Sequence, residues 1–290
     1  MTLDDLVARL DAYFRVADVR NDDWTPIFDA LYPEPYWRDY AEPGYEGRWN
    51  GLFVRGAADV ERVATCVFPS DEIVSRLEPR TLLFSEHPID DAPGDLFTPL
   101  ARATFELMKE RGITLYHVHA PLDMHPDVSP SRLCAEGLGL SGLAEYFPIA
   151  DGIPGGAAVI GASDETVDEL AARLQRFLGD DVPVRLLSRQ RERAGRVAVV
   201  AGGGAQREIL EASLERGCET YVTGNAASPC PLDHVQEGIA AFRELADAER
   251  VAIVDGTHYG TEKPPQLAMV GWFERLGLPA AFEPGRPERT

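Results

Sequence analysis

The sequence predicts an α/β fold in which parallel or mixed sheets are covered by helices. Three observations predict it. From about residue 60 short β-rich runs alternate with helical patterns. The 290 residues, 44% hydrophobic, suffice for one large α/β domain or two smaller ones. No short tandem repeat, low-complexity run or heptad seam points to an array instead.

The elements follow in order. Leu3, Leu6, Val7, Leu10, Tyr13 and Phe14 recur at helical spacing behind Thr2, which can cap the helix. Residues 32–50 form a Pro/Gly/aromatic segment that reads as a packed loop ending in Trp49-Asn50-Gly51, and a strand follows at Gly51–Val54. The runs ERVATCVF and TLLFS then precede a helix expected from Asp95 to Arg111, with Gly112 as its C-cap and ITLYHVHA as the next strand. A second series starts near Ala157. Ser163 is expected to cap a helix through Leu178, followed by RVAVVAG, a helix to Arg216, TYVTG, a helix at 232–248, VAIVDG and a last helix from about Pro264 to Leu276. The shift in composition at Phe147–Gly156, with Pro148, Pro154 and three glycines, marks the expected crossing between an N-terminal lobe, 1–147, and a C-terminal lobe, 148–290.

Charge and composition exclude several classes. The N-terminus has no basic, apolar leader pattern, and no stretch approaches the ~20 apolar residues of a membrane span, so a cytoplasmic protein with no membrane partner is expected. Cys66, Cys134, Cys218 and Cys230 are scattered without a CxxC pair and read as small buried hydrophobes in a reducing compartment. The net charge is −20, and only Lys109 and Lys263 among 28 basic residues are lysines. Such a chain repels phosphate backbones and attracts cations, which disfavours a nucleic-acid partner.

Five of the six histidines lie in or beside short polar segments at strand ends: Glu86-His87-Pro88, His117-Val-His119-Ala-Pro-Leu-Asp123-Met-His125, and His258-Tyr259-Gly-Thr-Glu262. Ligands of α/β sheets bind outside the carboxyl ends of strands. Imidazole and carboxylate in this mixture, without thiolate, suit Zn, Mn, Fe or Co. His119 and Asp123 are four residues apart, as are His258 and Glu262, so one helical turn or a tight loop converges each pair. Pro264 disfavours helix at Lys263, which points to a loop for the second pair. His117 reads either as a partner to a ligand or as a core histidine, His125 and His234 as loop residues, and Asp90 and Asp91 as a solvated loop. Gly202-Gly203-Gly204 lacks a Walker or dinucleotide pattern and reads as a tight strand-to-helix turn, with Arg207 beyond it as a candidate phosphate contact.

The succession WNGLFV, EHP, HAPLD, TGN and GTHYGTE resembles, in order, the NGG-one-interacting factor three (Nif three-like) dinuclear-metal family, whose members are also called type 2 GTP cyclohydrolase homologues. The resemblance runs from about residue 3 to residue 276. It implies two α/β lobes with the metal site in the cleft between them, two divalent ions per chain (Zn, Fe, Mn or Co), and a toroidal homohexamer. The ligands it implies are His87, His119, Asp123, His258 and Glu262, with Glu86 where relatives carry a further histidine. Glu86 ligates as a harder, anionic donor that shifts preference from Zn toward Mn, Fe or Mg, or else is a surface residue. Asn225 stands where relatives carry an acid, and Thr257 where they carry glycine.

These residues imply a metal-dependent hydrolase acting on a nucleotide or phosphorylated small molecule. Asp123 and Glu262 would bridge the ions that activate a water, and Tyr259 or His117 would shuttle a proton. The alternative is a non-catalytic metal carrier or hexameric interaction scaffold, which the loss of one acid and one histidine favours.

Overall fold

The computed structural model describes residues 1–19, 23–92 and 94–285. The chain forms two compact units: residues 1–92, 97–122 and 266–285 of the described chain make the first, and 94–96 with 123–265 the second.

The first unit opens with α1 (Leu3–Phe14), where the Thr2 hydroxyl accepts from the Asp5 N–H at 3.2 Å and Leu3, Leu6, Leu10 and Phe14 face inward. After α2 (Thr25–Leu31) the aromatic segment packs as expected. Phe28, Trp37, Tyr45, Trp49 and Phe53 are all buried, and the Tyr45 ring lies on Phe53 at 4.3 Å. Then come β1 (Gly51–Val54), β2 (Arg62–Cys66), α3 (Asp71–Arg76), β3 (Thr81–Ser85), β4 (Asp90–Ala92), β5 (Leu96–Thr98), α4 (Arg102–Arg111) and β6 (Thr114–His117).

The helix expected from Asp95 starts seven residues later. Gly94 and Asp95 both have positive φ, 101° and 57°, and form the turn into β5. The cap of α4 comes from another helix, because the Asp71 carboxylate accepts from Ala101 N–H at 3.0 Å and Thr104 Oγ1 at 2.6 Å. Asp90 and Asp91 are buried in β4 rather than solvated, with the Asp90 carboxylate accepting from the Asp91 N–H at 2.8 Å. Gly112 ends α4 at φ 64° as expected, donating to the Met108 and Lys109 carbonyls.

The second unit follows α5 (Ala120–Asp123) with α6 (Pro130–Gly137), β7 (Ser141–Tyr146), β8 (Ala158–Thr166), α7 (Val167–Leu178), β9 (Arg185–Ser188), β10 (Arg193–Val200), α8 (Arg207–Leu214), β11 (Thr220–Thr223), α9 (Asp233–Ala248) and β12 (Ala252–Asp255). Its sheet runs β7-β8-β10-β11-β12-β9, parallel across β10, β11 and β12 and antiparallel elsewhere. The chain then enters α10 (His258–Arg275) and ends in β13 (Ala280–Phe282), which completes the first unit's sheet in the order β1-β6-β3-β2-β13. Only β1 is antiparallel there.

Local differences from the sequence reading have physical causes. Ser163 lies inside β8, which stays paired with β10 as far as Thr166. Thr166 is therefore the cap of α7, in a reciprocal capping box with Glu169. The glycines at 155 and 156 serve packing within the second unit, because a Cβ would collide with the Met124 carbonyl at one and the Tyr146 carbonyl at the other. The two compact units divide between Leu122 and Asp123, and the tail returns to the first unit.

Helix α10 begins six residues before the expected start and contains Pro264 and Pro265. Pro265 cannot donate to the Thr261 carbonyl one turn back. The Cys134 thiol takes that place, 3.4 Å from the Thr261 oxygen, so the helix survives its proline.

All four cysteines are buried and none is disulfide-bonded. Burial pushes the Cys218 thiol up to about 12. Alkylation of the native protein at pH 8 should therefore leave Cys218 unlabelled by mass spectrometry, while rapid labelling would contradict its placement. Among the described residues no helix is long and apolar enough to cross a membrane.

Candidate metal centre

In the first unit two of the expected histidines are neighbours. β3 and β6 are adjacent parallel strands with Ser85 opposite His117, so the residues just past each strand emerge at the same end. His87 and His119 rings lie 5.0 Å apart, centroid to centroid. Phe68 lies flat on His87 at 4.3 Å, and Trp24 stands edge-on to His119 at 5.5 Å. Apolar walls of this kind restrict the rings to few orientations.

Backbone bonds fix the two segments. The His87 N–H donates to the Val67 carbonyl at 3.1 Å, and Ser85 Oγ donates to the His87 carbonyl at 2.6 Å. The His119 N–H donates to Asn50 Oδ1 at 2.9 Å, so the buried Asn50 of the WNG segment is a positioning residue that sequence reasoning did not assign. Glu86 is fully buried, which removes the reading of it as a surface residue. Its Oε2 receives the Gln266 side-chain amide at 3.3 Å, and the Gln266 carbonyl in turn accepts from Thr65 Oγ1 at 2.9 Å.

His117 is wholly buried beside the Tyr45 hydroxyl, 3.3 Å from its Nδ1. Burial, and then the imidazoles of His119 and His87, hold it well below the ordinary imidazole range and therefore neutral. His125 is buried too, its Nδ1 accepting from the Asp127 N–H at 3.1 Å. His234 is exposed in the first turn of α9 and not in a loop.

In the second unit the early start of α10 decides the geometry. His258 and Glu262 are four apart on one helical turn rather than in a loop, and His258 Nε2 is 3.1 Å from Glu262 Oε1. The other ring nitrogen, Nδ1, is 3.1 Å from Asp95 Oδ1, and Asp95 Oδ2 accepts from Ser228 Oγ at 2.6 Å. Burial works against the imidazolium form, but Glu262 and Asp95 outweigh it and hold His258 well above its usual range. Burial likewise opposes ionisation of Asp95, and His258 overcomes it, so the Asp95 carboxyl sits below its usual range. Two carboxylates on one imidazole are an arrangement that a cation stabilises.

Glu262 rests against a glycine. Gly202 has φ 60°, its N–H donates to Thr261 Oγ1 at 2.9 Å, and a Cβ on it would collide with Glu262 Oε1. The triple-glycine turn thus makes room for Glu262. Arg207 beyond it pairs with Glu211 at 2.9 Å. Asn225 accepts from the Ala205 N–H at 2.8 Å and so ties down the same turn.

Thr257 explains the glycine expected before the last histidine. Its φ of 61° is a conformation that a β-branched residue rarely adopts. Its hydroxyl compensates by accepting from the Gly260 N–H at 3.0 Å at the start of α10. Thr257→Ala should lose the cap and keep the strain, costing about 1 kcal/mol. Thr257→Gly loses the cap but relieves the strain, so its unfolding midpoint in urea should lie close to wild type and above that of the alanine variant; the reverse order would contradict this account.

Asp123 closes the single turn of α5, half-buried, and Tyr259 is buried in the first turn of α10. Of the expected ligands, His258 and Glu262 of the second unit bring an imidazole nitrogen and a carboxylate oxygen to 3.1 Å of each other, and His87 and His119 of the first are ring neighbours.

A mixed-sheet α/β fold with histidines at adjacent strand ends and a His–Glu pair opening a helix defines a class of protein. The chain belongs to the Duf34/NIF3 (NGG1p interacting factor 3) family, whose pattern matches residues 29–275. It is 25% identical over 241 residues to a protein of Salmonella typhimurium named GTP cyclohydrolase 1 type 2 homolog, covering 80% of this chain and 87% of that relative. A relative of the same name from Pyrococcus horikoshii is 27% identical over 242 residues, covering 80% and 88%. The solved structure of "protein ybgI, unknown function" has the same fold, with a TM-score of 0.69 over 99% of each chain at 18% identity.

Proposed function

We propose that this chain binds two divalent metal ions through Glu86, His87, His119, Asp123, His258 and Glu262 and acts as a metal-dependent hydrolase on a nucleotide or a phosphorylated small molecule. The observation that carries the reading is the His258–Glu262 pair at 3.1 Å on the opening turn of α10. The names of the relatives support the substrate class. When bound, such ions act as Lewis acids and bring a water's pKa toward neutrality.

The chain's own residues serve that chemistry. Asn50 and the flanking rings Trp24 and Phe68 hold the imidazoles of His119 and His87 in place. Gln266 holds the Glu86 carboxylate, a hard donor that favours Mn, Fe or Mg over Zn. His117 stays neutral and buried beside the Tyr45 hydroxyl, which suits a group that supports a ligand. Tyr259, buried in the first turn of α10, is the other group proposed to move a proton, and Asp123 and Glu262 would bridge the ions.

A second reading, a metal carrier or interaction scaffold, has one observation in its favour. Asn225, which replaces an acid of the family pattern, is engaged by the Ala205 N–H. The chain is proposed to work in the cytoplasm as a homohexamer, the first supported by its four buried cysteines without a disulfide.

Elemental analysis of the purified protein, together with its mass in solution, tests the reading. Two ions per chain and a six-chain mass are expected, and Glu262→Gln should lose metal together with any nucleotide turnover. Full retention of two ions in that variant would sink the assignment. Turnover that survives complete removal of the metal by a chelator would sink the hydrolase mechanism, and rapid ion exchange without turnover of any nucleotide would favour the carrier.

A further inference from the structure

His258 has two ring nitrogens, and the structure occupies both edges of the ring differently. Nε2 faces Glu262 Oε1 at 3.1 Å along one helical turn. Nδ1 faces Asp95 Oδ1 at 3.1 Å. Because the two nitrogens point away from each other, an ion held by Nε2 and Glu262 cannot also be ligated by the Asp95 oxygen that meets Nδ1.

Asp95 is itself held. Its second oxygen accepts from Ser228 Oγ at 2.6 Å, and the residue sits in a turn at φ 57° after Gly94 at φ 101°. Aspartate tolerates the left-handed region better than most residues, and the turn projects its carboxylate from a short, tightly bent segment. Asp95 and His258 are 163 residues apart in sequence, so no local rule of helix or turn formation brings them together. The surrounding fold has to hold the carboxylate against the ring.

We propose that Asp95 is the positioning residue of His258: it accepts the Nδ1–H, fixes that tautomer and turns Nε2 toward Glu262 as the metal donor. Ser228 anchors Asp95 in that role. The inference rests on the reading of His258 and Glu262 as metal ligands. A histidine ligand whose other N–H is held by a carboxylate is better oriented and more basic, and loss of such a partner typically weakens metal binding about 10–100-fold.

The test uses the full chain with Zn2+ alone as probe, its dissociation constant measured by competition with a chromophoric chelator for wild type, Asp95→Ala, Asp95→Asn and His258→Ala. Asp95→Ala is expected to weaken Zn2+ binding about 10–100-fold. Asp95→Asn keeps an acceptor oxygen and should recover part of the loss. The readout that a merely structural role would not move is the nitrogen-15 NMR signature of His258 in the zinc-loaded protein. Wild type should show a protected Nδ1–H with Nε2 metal-bound, and Asp95→Ala should lose that protection.

Unchanged Zn2+ affinity in Asp95→Ala together with a large loss in His258→Ala would overturn this inference and leave the metal site standing. Unchanged affinity in both would overturn the metal site as well. An Asn variant as weak as the Ala variant would also overturn it, because an acceptor oxygen would then not be what matters. Should Asp95→Ala fail to fold, the Asn variant carries the comparison, with affinity expected between wild type and His258→Ala and unchanged affinity counting against the proposal.

Discussion

Gly202→Ala is expected to leave the protein folded and to abolish most of its affinity for divalent metal. The added methyl would occupy the space of Glu262 Oε1. That oxygen is the far end of a flexible side chain, so the carboxylate swings away more readily than the backbone deforms. The φ of 60° adds a strain of about 1–2 kcal/mol for a non-glycine residue. Folding thus bears a modest cost, whereas the Glu262 carboxylate beside His258 is displaced outright. Zn2+ titration and urea unfolding of the same variant separate the two effects. Wild-type affinity in a folded Gly202→Ala protein would show that Glu262 is not a ligand.

The largest loss of stability should come from the aromatic core of the first unit. Trp37 is fully buried, with Phe28 at 4.9 Å, Trp49 at 5.8 Å and Phe53 at 6.0 Å between ring centroids. Trp37→Ala removes a whole indole from a region whose other rings cannot close over the space, and costs about 3–5 kcal/mol. The same cluster backs Trp49, next to Asn50, whose side chain holds the His119 backbone. Urea unfolding should therefore show a lowered midpoint, and the Zn2+ affinity of the folded fraction should fall with it. A loss below about 1 kcal/mol would mean that this cluster is far more plastic than a close-packed core.

Periodicity made the strands and most helices legible. The opening helix, the strand at Gly51–Val54 and the strands carrying TLLFS and VAIVDG all appear where alternating apolar patterns predict them. Elements whose ends depend on distant residues were not legible. Asp71 caps α4 from another helix, and the Cys134 thiol satisfies a carbonyl that Pro265 leaves over in α10. A rule about proline and its preceding residue has no access to a thiol over 120 positions away, and so it placed Glu262 in a loop.

The site followed the same division. Residue types and their spacing pointed to His87, His119, Asp123, His258 and Glu262 as candidates, because imidazoles and carboxylates at strand ends can be recognised from the sequence. The groups that hold them were silent. Asp95 read as the start of a helix, Glu86 as a possible surface acid and Gly202 as part of a turn, since burial and through-space neighbours leave no periodic trace. Thr257 is the partial exception: a left-handed residue with a capping hydroxyl shows why one protein keeps threonine where the family pattern has glycine.

The pairing of β3 with β6 sets how this protein tolerates length changes over generations. Ser85 faces His117 across the ladder, and side chains alternate faces at every step. Deleting or inserting one residue within β6 would turn His119 to the opposite side of the sheet, while the same change in the loop between Arg76 and Thr81, ahead of β3, would leave both histidines in register. Indels should therefore be purged from the four residues before Val118 and accumulate at the opposite end of the strands, so the chain's history of gaps would itself mark which end of the sheet does the work.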